Sequence, residues 1–341
     1  MTVPMTVLER RYRRMLVVLP KWYRAEREDE MVAAFLEDVD QDPDADVRHD
    51  FGWPGWGEFG SVVALSARTR WPGRTGSPRA LVKGEVVRLI GLIGLLLASA
   101  SALNQWLSRI APELYAIHYI GADGYMGAYQ GPIPVIWDWR FVLDAFLDGA
   151  AVLALLALLF GAWRLAKAGA AVLLLTLLAF MADDLAGEEF VLVNAFLFHL
   201  ICALYALCVL VGFHSDVEPV KPKWWLVALV GIAALWMSLG WTTFLMIDVY
   251  VLVGAVAYVI VHQRRLWRAP ATGLLAVAAV CALMALERLA WMTAHLLYGD
   301  LVSLAFAVAQ VAVLVVMALW LRAQAVKVLP PEARSPLSVA S

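Results

Sequence analysis

The main feature of this chain is a series of long apolar stretches that begins near residue 86 and continues almost to the end. Each of the eight stretches is close to the roughly 20 residues that an α-helix needs to cross a bilayer. The pattern predicts an all-α, polytopic membrane protein with a transmembrane domain over residues 86–325. The predicted spans cover about 86–106, 141–163, 168–186, 190–213, 224–241, 243–261, 271–297 and 300–322.

The first part of the chain has a different pattern, in which apolar and polar residues alternate with the period of amphipathic helices. In the first predicted helix, over 7–19, apolar residues occupy one face and arginines cover the rest. Pro20 ends this helix and can open the second, and a third amphipathic helix follows at 57–69. We therefore expect residues 1–72 to form a small three-helix head, joined to the membrane domain by a basic linker at 73–85.

Positive charges occupy every second connection between the apolar stretches. The positive-inside rule then places the head and both termini in the cytoplasm, and the protein in the cell membrane. The longest outer connection, 108–140, is rich in Tyr and Trp and is expected to form a structured extracytoplasmic cap. The tail at 326–341 is expected to be disordered. The charges of the inner connections are Arg164, Lys167, Lys221, Lys223, Arg264, Arg265, Arg268, Arg322, Lys327 and Arg334, whereas the outer ones contain only Arg109 and Arg140.

Composition excludes several classes of protein. With 62% hydrophobic residues, 16% charged residues and a mean hydropathy of +0.73, the chain is not a soluble globular domain. Its three cysteines lie in apolar stretches without a CxxC motif and are interpreted as small buried apolar side chains. No nucleotide-binding motif, nucleophile elbow or HExxH metal motif is present, so we predict no catalytic residue, no cofactor and no dedicated set of metal ligands. Acids interleave with the arginines of the head, which argues against nucleic-acid binding.

Ionisable residues inside predicted spans are costly to bury and are therefore candidates for function. Here they fall at similar depths, in the outer halves of four spans, which predicts a polar cavity that is open to the outside and binds a cation. That cation is a metal ion, a proton or a positively charged organic molecule. Alternatively, acids near helix ends contact headgroup water, and buried charges form structural ion pairs. The candidate residues are Asp144, Asp148, Asp184, Glu188, Asp248, Glu287, Arg288 and His295.

Histidine offers a second chemistry for the same region. His118, His199 and His295 fall in the predicted cap or inside spans, where they could form a metal site together with Glu287 or Asp184. No short ligand spacing supports such a site. A histidine inside a span more often forms a hydrogen bond with a neighbouring helix, so the cation-binding cavity is the preferred hypothesis.

The head resembles a known family over about residues 7–71. It has a basic first helix, a proline, an aromatic-Arg pair, an acidic segment ending in Met, and a third helix ending in Arg-x-Arg. It is similar to the N-terminal module of actinobacterial membrane proteins related to the HAAS signalling domain. Here the matching runs are Leu8-Glu9-Arg10-Arg11-Tyr12-Arg13-Arg14, Leu19-Pro20, Trp22-Tyr23-Arg24, Glu28-Asp29-Glu30-Met31 and Ala67-Arg68-Thr69-Arg70.

Proteins of that group are often encoded beside PadR-type transcriptional regulators and sometimes beside ABC transporters. The resemblance implies a regulatory or accessory membrane component whose head docks a protein partner, and it supplies no catalytic residue. Candidate docking residues are Arg10, Arg14, Trp22, Tyr23 and Arg24.

Three functional hypotheses remain open. The first is an accessory or signalling subunit that binds a ligand in the outer acidic cavity and docks a cytoplasmic or membrane partner, such as an ABC transporter. The second is a self-contained proton-coupled transporter of a cationic substrate, with Asp144, Asp148 or Glu287 as the carrier. The third, with the least support, is an intramembrane enzyme that depends on a metal or a lipid.

Overall fold

The computed structural model describes residues 6–41, 49, 52–71, 78–110, 139–186, 192–214, 217, 220–239, 254, 271–298 and 301–329. All regular structure in these ranges is helical, so the prediction of an all-α protein is confirmed for them. The chain forms two compact units, Met1–Gly84 and Glu85–Ser341. The helices are α1 (Val7–Leu16), α2 (Lys21–Asp40), α3 (Trp56–Arg70), α4 (Pro78–Ile110), α5 (Trp139–Leu159), α6 (Trp163–Ala186), α7 (Leu192–Gly212), α8 (Pro222–Leu239), α9 (Ala271–Tyr298) and α10 (Leu301–Val328).

The three helices of the first unit share one apolar core. Tyr12 of α1 and Phe35 of α2 stack with their ring centroids 4.0 Å apart. Burial and the nearby negative charge of Glu58 raise the pKa of Tyr12, which keeps its phenol neutral. The amphipathic pattern of the sequence therefore corresponds to a packed core. Its buried members are Leu8, Tyr12, Met15, Leu16, Leu19, Val32, Phe35, Val39 and Val62.

Side-chain hydrogen bonds to backbone carbonyls hold α3 and the preceding turn against α1. Ser66 Oγ donates to Val18 O at 2.8 Å, and Arg70 Nη2 donates to the same oxygen at 2.8 Å. Arg11 Nη1 donates to Gly52 O at 2.7 Å. Val18 lies just after the end of α1, where backbone carbonyls lack helical hydrogen-bond partners. The bonds from Ser66 and Arg70 therefore satisfy a carbonyl that the helix leaves unpaired.

Helix α1 is shorter than predicted. It begins after Thr6, whose Oγ1 accepts a hydrogen bond from Glu9 N at 3.1 Å, and it ends at Leu16 rather than near residue 19. The residues before Pro20 form a turn instead, since a proline disfavours helical backbone in the residue that precedes it.

Replacing Leu16 with alanine is expected to destabilise the first unit by about 2–5 kcal/mol, because the side chain is fully buried in the shared core. The neighbouring Val17→Ala variant is a matched control, since Val17 is exposed. Hydrogen exchange of the full-length protein, read on peptides from α1 and α2, measures the effect. Equal amide protection in the two variants would show that this core does not stabilise the unit.

The second unit contains helices that are suited to a membrane. Four apolar helical segments in the described part of the chain are long enough to cross a bilayer: Pro78–Leu107, Trp163–Asp183, Ala271–Ala290 and Leu304–Val328. This is fewer than the eight predicted spans. The described apolar segments of α5, α7 and α8 are shorter, and the predicted span at 243–261 falls, apart from residue 254, outside the described residues. Most of the expected cap and tail also falls outside them.

Small residues allow the helices of the second unit to approach closely. Gly91 and Gly94 of α4 lie directly against Val209 and Tyr205 of α7, and a Cβ at position 94 would overlap the Tyr205 ring. Close backbone approach at small residues is a common way to associate helices in membranes. Helices α4 and α7 take part in both large apolar clusters of this unit, one with α5, α6 and α8 and one with α9 and α10.

The outer surfaces of several helices are apolar. Helix α10 exposes Phe306, Val316 and Leu319, and helix α6 exposes Leu165 and Leu175. Exposed aliphatic side chains along whole helices match the hydrocarbon interior of a bilayer. The second unit is therefore suited to a membrane-embedded position.

Candidate functional site

A cavity of about 140 Å³ lies inside the second unit and is lined by α4, α5, α6, α7 and α9. Most of its wall is aliphatic or aromatic, as expected between membrane helices. A smaller set of polar side chains from four of the five helices also lines it. They are Ser101 and Gln105 of α4, Asp148 of α5, His199, Cys202 and Tyr205 of α7, and Glu287 of α9.

Two carboxylates from separate helices line this cavity. Asp148 is 4% exposed and Glu287 is 7% exposed. Asp148 has a polar or electrostatic partner. Glu287 has no ion pair or hydrogen bond with a side chain in the described ranges. Burying a carboxylate in apolar surroundings is costly unless a counter-charge or donor is present, so the arrangement is suited to a cation or a proton.

Tyr205 places a polar group in the same wall. Its side chain is 4% exposed, and its hydroxyl has no hydrogen-bond partner among the described residues. The absence of a Cβ on Gly94 allows the ring to pack against α4. A buried hydroxyl without a partner is unusual in a folded protein, and it gives the cavity a group that can both donate and accept a hydrogen bond.

Aromatic rings form one part of the wall. The rings of Phe180 and His199 are stacked with centroids 5.2 Å apart, and Phe198 meets the His199 ring at 5.7 Å and 64°. Helices α6 and α7 pack along their lengths and bring these three rings together. The faces of such rings carry negative potential and attract cations.

The structure brings together two of the eight predicted cavity residues, Asp148 and Glu287. Arg288 is buried and engaged with a partner, but it does not line the cavity. Asp144 lies one turn before Asp148 on α5. Asp184 is near the end of α6, and His295 lies two turns after Glu287 on α9; the side chains of these three lie outside the described set. Glu188 and Asp248 also lie outside it.

The predicted docking residues differ in their surroundings. Arg10 and Arg14 are exposed on α1, and Trp22 is 58% exposed at the start of α2. Tyr23 is partly buried and packs against the core of the first unit. Arg24 is also partly buried, and its Nη1 lies 3.8 Å from Glu28 Oε2. Arg10, Arg14 and Trp22 are thus the members of the set that are available to a partner.

Sequence reasoning missed several side chains of the cavity. Ser101 and Gln105 were not singled out, although their spacing of four places them on one face of α4, where both line the cavity. Tyr205 was passed over inside an apolar stretch. Cys202, which is interpreted from the sequence as a small buried apolar side chain, is partly buried and also forms part of the cavity wall. Two weakly polar residues at helical spacing within one apolar span, such as Ser101 and Gln105, are the sequence signal of this part of the wall.

A metal centre is not formed by the side chains that the structure describes: they include no group of three or more His, Cys, Asp or Glu residues placed to hold an ion. Comparison with protein-family models, curated proteins and solved structures finds no match to this chain. The site's own residues therefore carry the functional argument.

Proposed function

We propose that this protein is a regulatory or accessory subunit of the cell membrane that binds a small cation in the cavity and docks a partner through its N-terminal helices. The observation that carries the proposal is that Asp148 and Glu287, from α5 and α9, line the same cavity. Glu287 is buried among apolar side chains without an ion pair to any described side chain, which is costly in a ligand-free protein, and a cation bound beside it and Asp148 offsets that cost.

The proposal includes a topology of eight spans with both termini in the cytoplasm. Support comes from two helix starts that follow connections assigned to the cytoplasmic side. In α6, Arg164 and Lys167 lie 5.2 Å and 5.9 Å from the centre of the Trp163 ring, and in α8, Lys223 lies 5.7 Å from that of Trp224. Trp beside a basic residue is typical of the membrane–water interface.

Docking through the first unit is supported by the exposure of Trp22 at the start of α2 and of Arg10 and Arg14 on α1. Tryptophan and arginine are the residues that most often dominate the energy of protein interfaces. Trp22 is 58% exposed and is not among the described residues that form the apolar core of its unit, which fits this role.

The partner is tested by purifying the full-length protein from its native membrane in mild detergent and quantifying every protein that co-purifies. We expect a stoichiometric partner, and we expect Trp22→Ala to lower its recovery by about tenfold or more. Trp53→Ala is the matched control, because Trp53 is 54% exposed in the same unit. Docking through Trp22 would be contradicted if the wild-type protein purified without any partner. It would also be contradicted if Trp22→Ala and Trp53→Ala recovered the same amount of partner.

A second candidate function is proton-coupled transport of a cationic substrate. It is favoured by Glu287, which lines the cavity without an ion pair to any described side chain and can therefore exchange a proton for a cation. Uptake of a cation into proteoliposomes by the protein alone, driven by a pH gradient and lost in Glu287→Gln, would favour the transporter over the accessory subunit.

A further inference from the structure

The size of the cavity limits what it can hold. An engineered protein cavity of about 150 Å³ accommodates benzene, and the cavity between α4, α5, α6, α7 and α9 has a volume of about 140 Å³. The space fits a chemical group of a few heavy atoms, so a whole peptide, nucleotide or lipid does not fit within it. Naming the class of cation for this site rests on the proposed function, in which the same site binds a cation.

The chemistry of the wall argues for a ligand with an apolar body. Ca²⁺ is held by about 6–8 oxygen ligands, and Mg²⁺ keeps most of its water shell. The two carboxylates instead share the cavity with Leu95, Leu177 and Met284, which offer no oxygen ligand to such ions. His199 and Cys202 also line the wall, but the described side chains include no group of three or more His, Cys, Asp or Glu residues placed to hold an ion. A cation that carries hydrocarbon next to its charge satisfies both parts of such a wall.

The aromatic part of the wall suits a diffuse positive charge. The Phe180 and Phe198 rings and the phenol of Tyr205 all line the cavity beside the two carboxylates. Ammonium groups bind against the faces of aromatic rings, and the attraction is stronger where water is excluded. The Tyr205 hydroxyl, which lacks a hydrogen-bond partner among the described residues, can accept a hydrogen bond from an N–H group.

We infer that the cavity binds a small organic ammonium ion, with its charge between the carboxylates of Asp148 and Glu287 and its hydrocarbon body against the aliphatic and aromatic wall. The hydroxyl of Tyr205 accepts a hydrogen bond from the ammonium group when that group carries hydrogen.

The experiment measures the melting temperature of the purified full-length protein in detergent, at constant ionic strength, as each probe is titrated. The probes are n-butylammonium and tetramethylammonium chlorides, the neutral 1-butanol, and magnesium, zinc and sodium chlorides. A ligand that binds only the folded protein raises its melting temperature. We expect the ammonium ions to stabilise the protein at concentrations at least about tenfold lower than 1-butanol, because only they carry the charge.

Two variants locate the effect in the cavity. Asp148→Asn is expected to lower the affinity for both ammonium ions by about tenfold or more. Asp183→Asn, which changes an acid of α6 outside the cavity wall, is expected to leave both affinities unchanged. Tyr205→Phe keeps the ring and removes the hydroxyl. This variant is expected to lower the affinity for n-butylammonium several-fold. The affinity for tetramethylammonium, which has no N–H group, should stay the same. This difference between two ligands of one variant does not depend on how stably the variant folds.

The outcomes separate the two proposals. Stabilisation by magnesium or zinc that depends on Asp148, without stabilisation by either ammonium ion, would overturn the ammonium inference and leave cation binding standing. Stabilisation by no cation in the series would overturn both. An equal response to 1-butanol and n-butylammonium, unchanged by Asp148→Asn, would show an apolar cavity without charge recognition and would likewise overturn both.

Discussion

Replacing Glu287 with glutamine is expected to abolish cation binding while the protein still assembles. Removing one partner of a buried charge pair typically costs about 2–5 kcal/mol, which is roughly 30-fold to several-thousand-fold in affinity. Glu287 is nine-tenths buried and has no ion pair with a described residue. Neutralising it therefore takes no ion-pair partner away from any described positive side chain. The ligand-free variant should therefore be as stable as the wild-type protein, or more stable, because a buried charge has been removed.

The next residue along α9 is the matched control. Arg288 is buried to a similar extent and has a partner, but it lies outside the cavity wall. Arg288→Gln is expected to lower the melting temperature, since it removes a buried guanidinium that has a partner, and to keep the cation affinity of the fraction that folds. Two measurements compare the Glu287→Gln and Arg288→Gln variants. The first is the cation affinity of each purified variant, obtained by titration, and the second is its melting temperature without cations. Unchanged affinity in Glu287→Gln would remove this carboxylate from the site.

The helices could be predicted because their apolar residues repeat with a clear period, but their ends depend on local chemistry that is harder to recognise. The prediction of a linker at 73–85 depends on its glycines and on Pro72 and Pro78, yet α4 begins at Pro78. Proline suits the first turn of a helix, where no backbone donor is needed, so the same residue can mark a break or a start. Helix α6 likewise begins at Trp163, earlier than the apolar stretch, because its first turn carries interfacial residues.

The charged part of the candidate site could be predicted, because a carboxylate inside an apolar stretch is costly and stands out in the sequence. That rule singled out Asp148 and Glu287, but it treated Arg288 in the same way, although the side chains of Glu287 and Arg288 have different surroundings. Adjacent residues of a helix point about 100° apart, and only the packing of neighbouring helices decides which of them faces a cavity.

The uncharged part of the site could not be predicted in the same way. Ser101, Gln105 and Tyr205 are polar residues that many membrane helices tolerate, so their presence in a span has little weight alone. Their role depends on the contact between α4 and α7, which places the wall residues of both helices around one space. That contact rests on glycine positions whose partners are distant in sequence.

Replacing Gly94 with leucine is expected to disrupt the second unit more than neutralising either cavity carboxylate. Even the Cβ atom of alanine at this position would overlap the ring of Tyr205, at the rigid base of that side chain rather than at a flexible end. Either the ring or the whole of α4 must therefore move. Overpacking of this kind typically costs about 1–3 kcal/mol and occasionally more. Because Gly94 and Tyr205 both line the cavity, the change should also block cation binding.

Gly149→Leu provides the contrast on α5, beside Asp148. Apart from its own stretch of helix, a Cβ at position 149 would meet no atom of the described residues within 4 Å, and the substitution replaces a poor helix former with a good one. We expect this variant to assemble and to bind cations like the wild-type protein. Size-exclusion profiles, melting temperatures and cation titrations of Gly94→Ala, Gly94→Leu and Gly149→Leu then form a graded series. If Gly94→Leu retained the melting temperature and affinity of Gly149→Leu, α4 and α7 would not be in close contact at Tyr205, and the cavity would lose the wall that those helices provide.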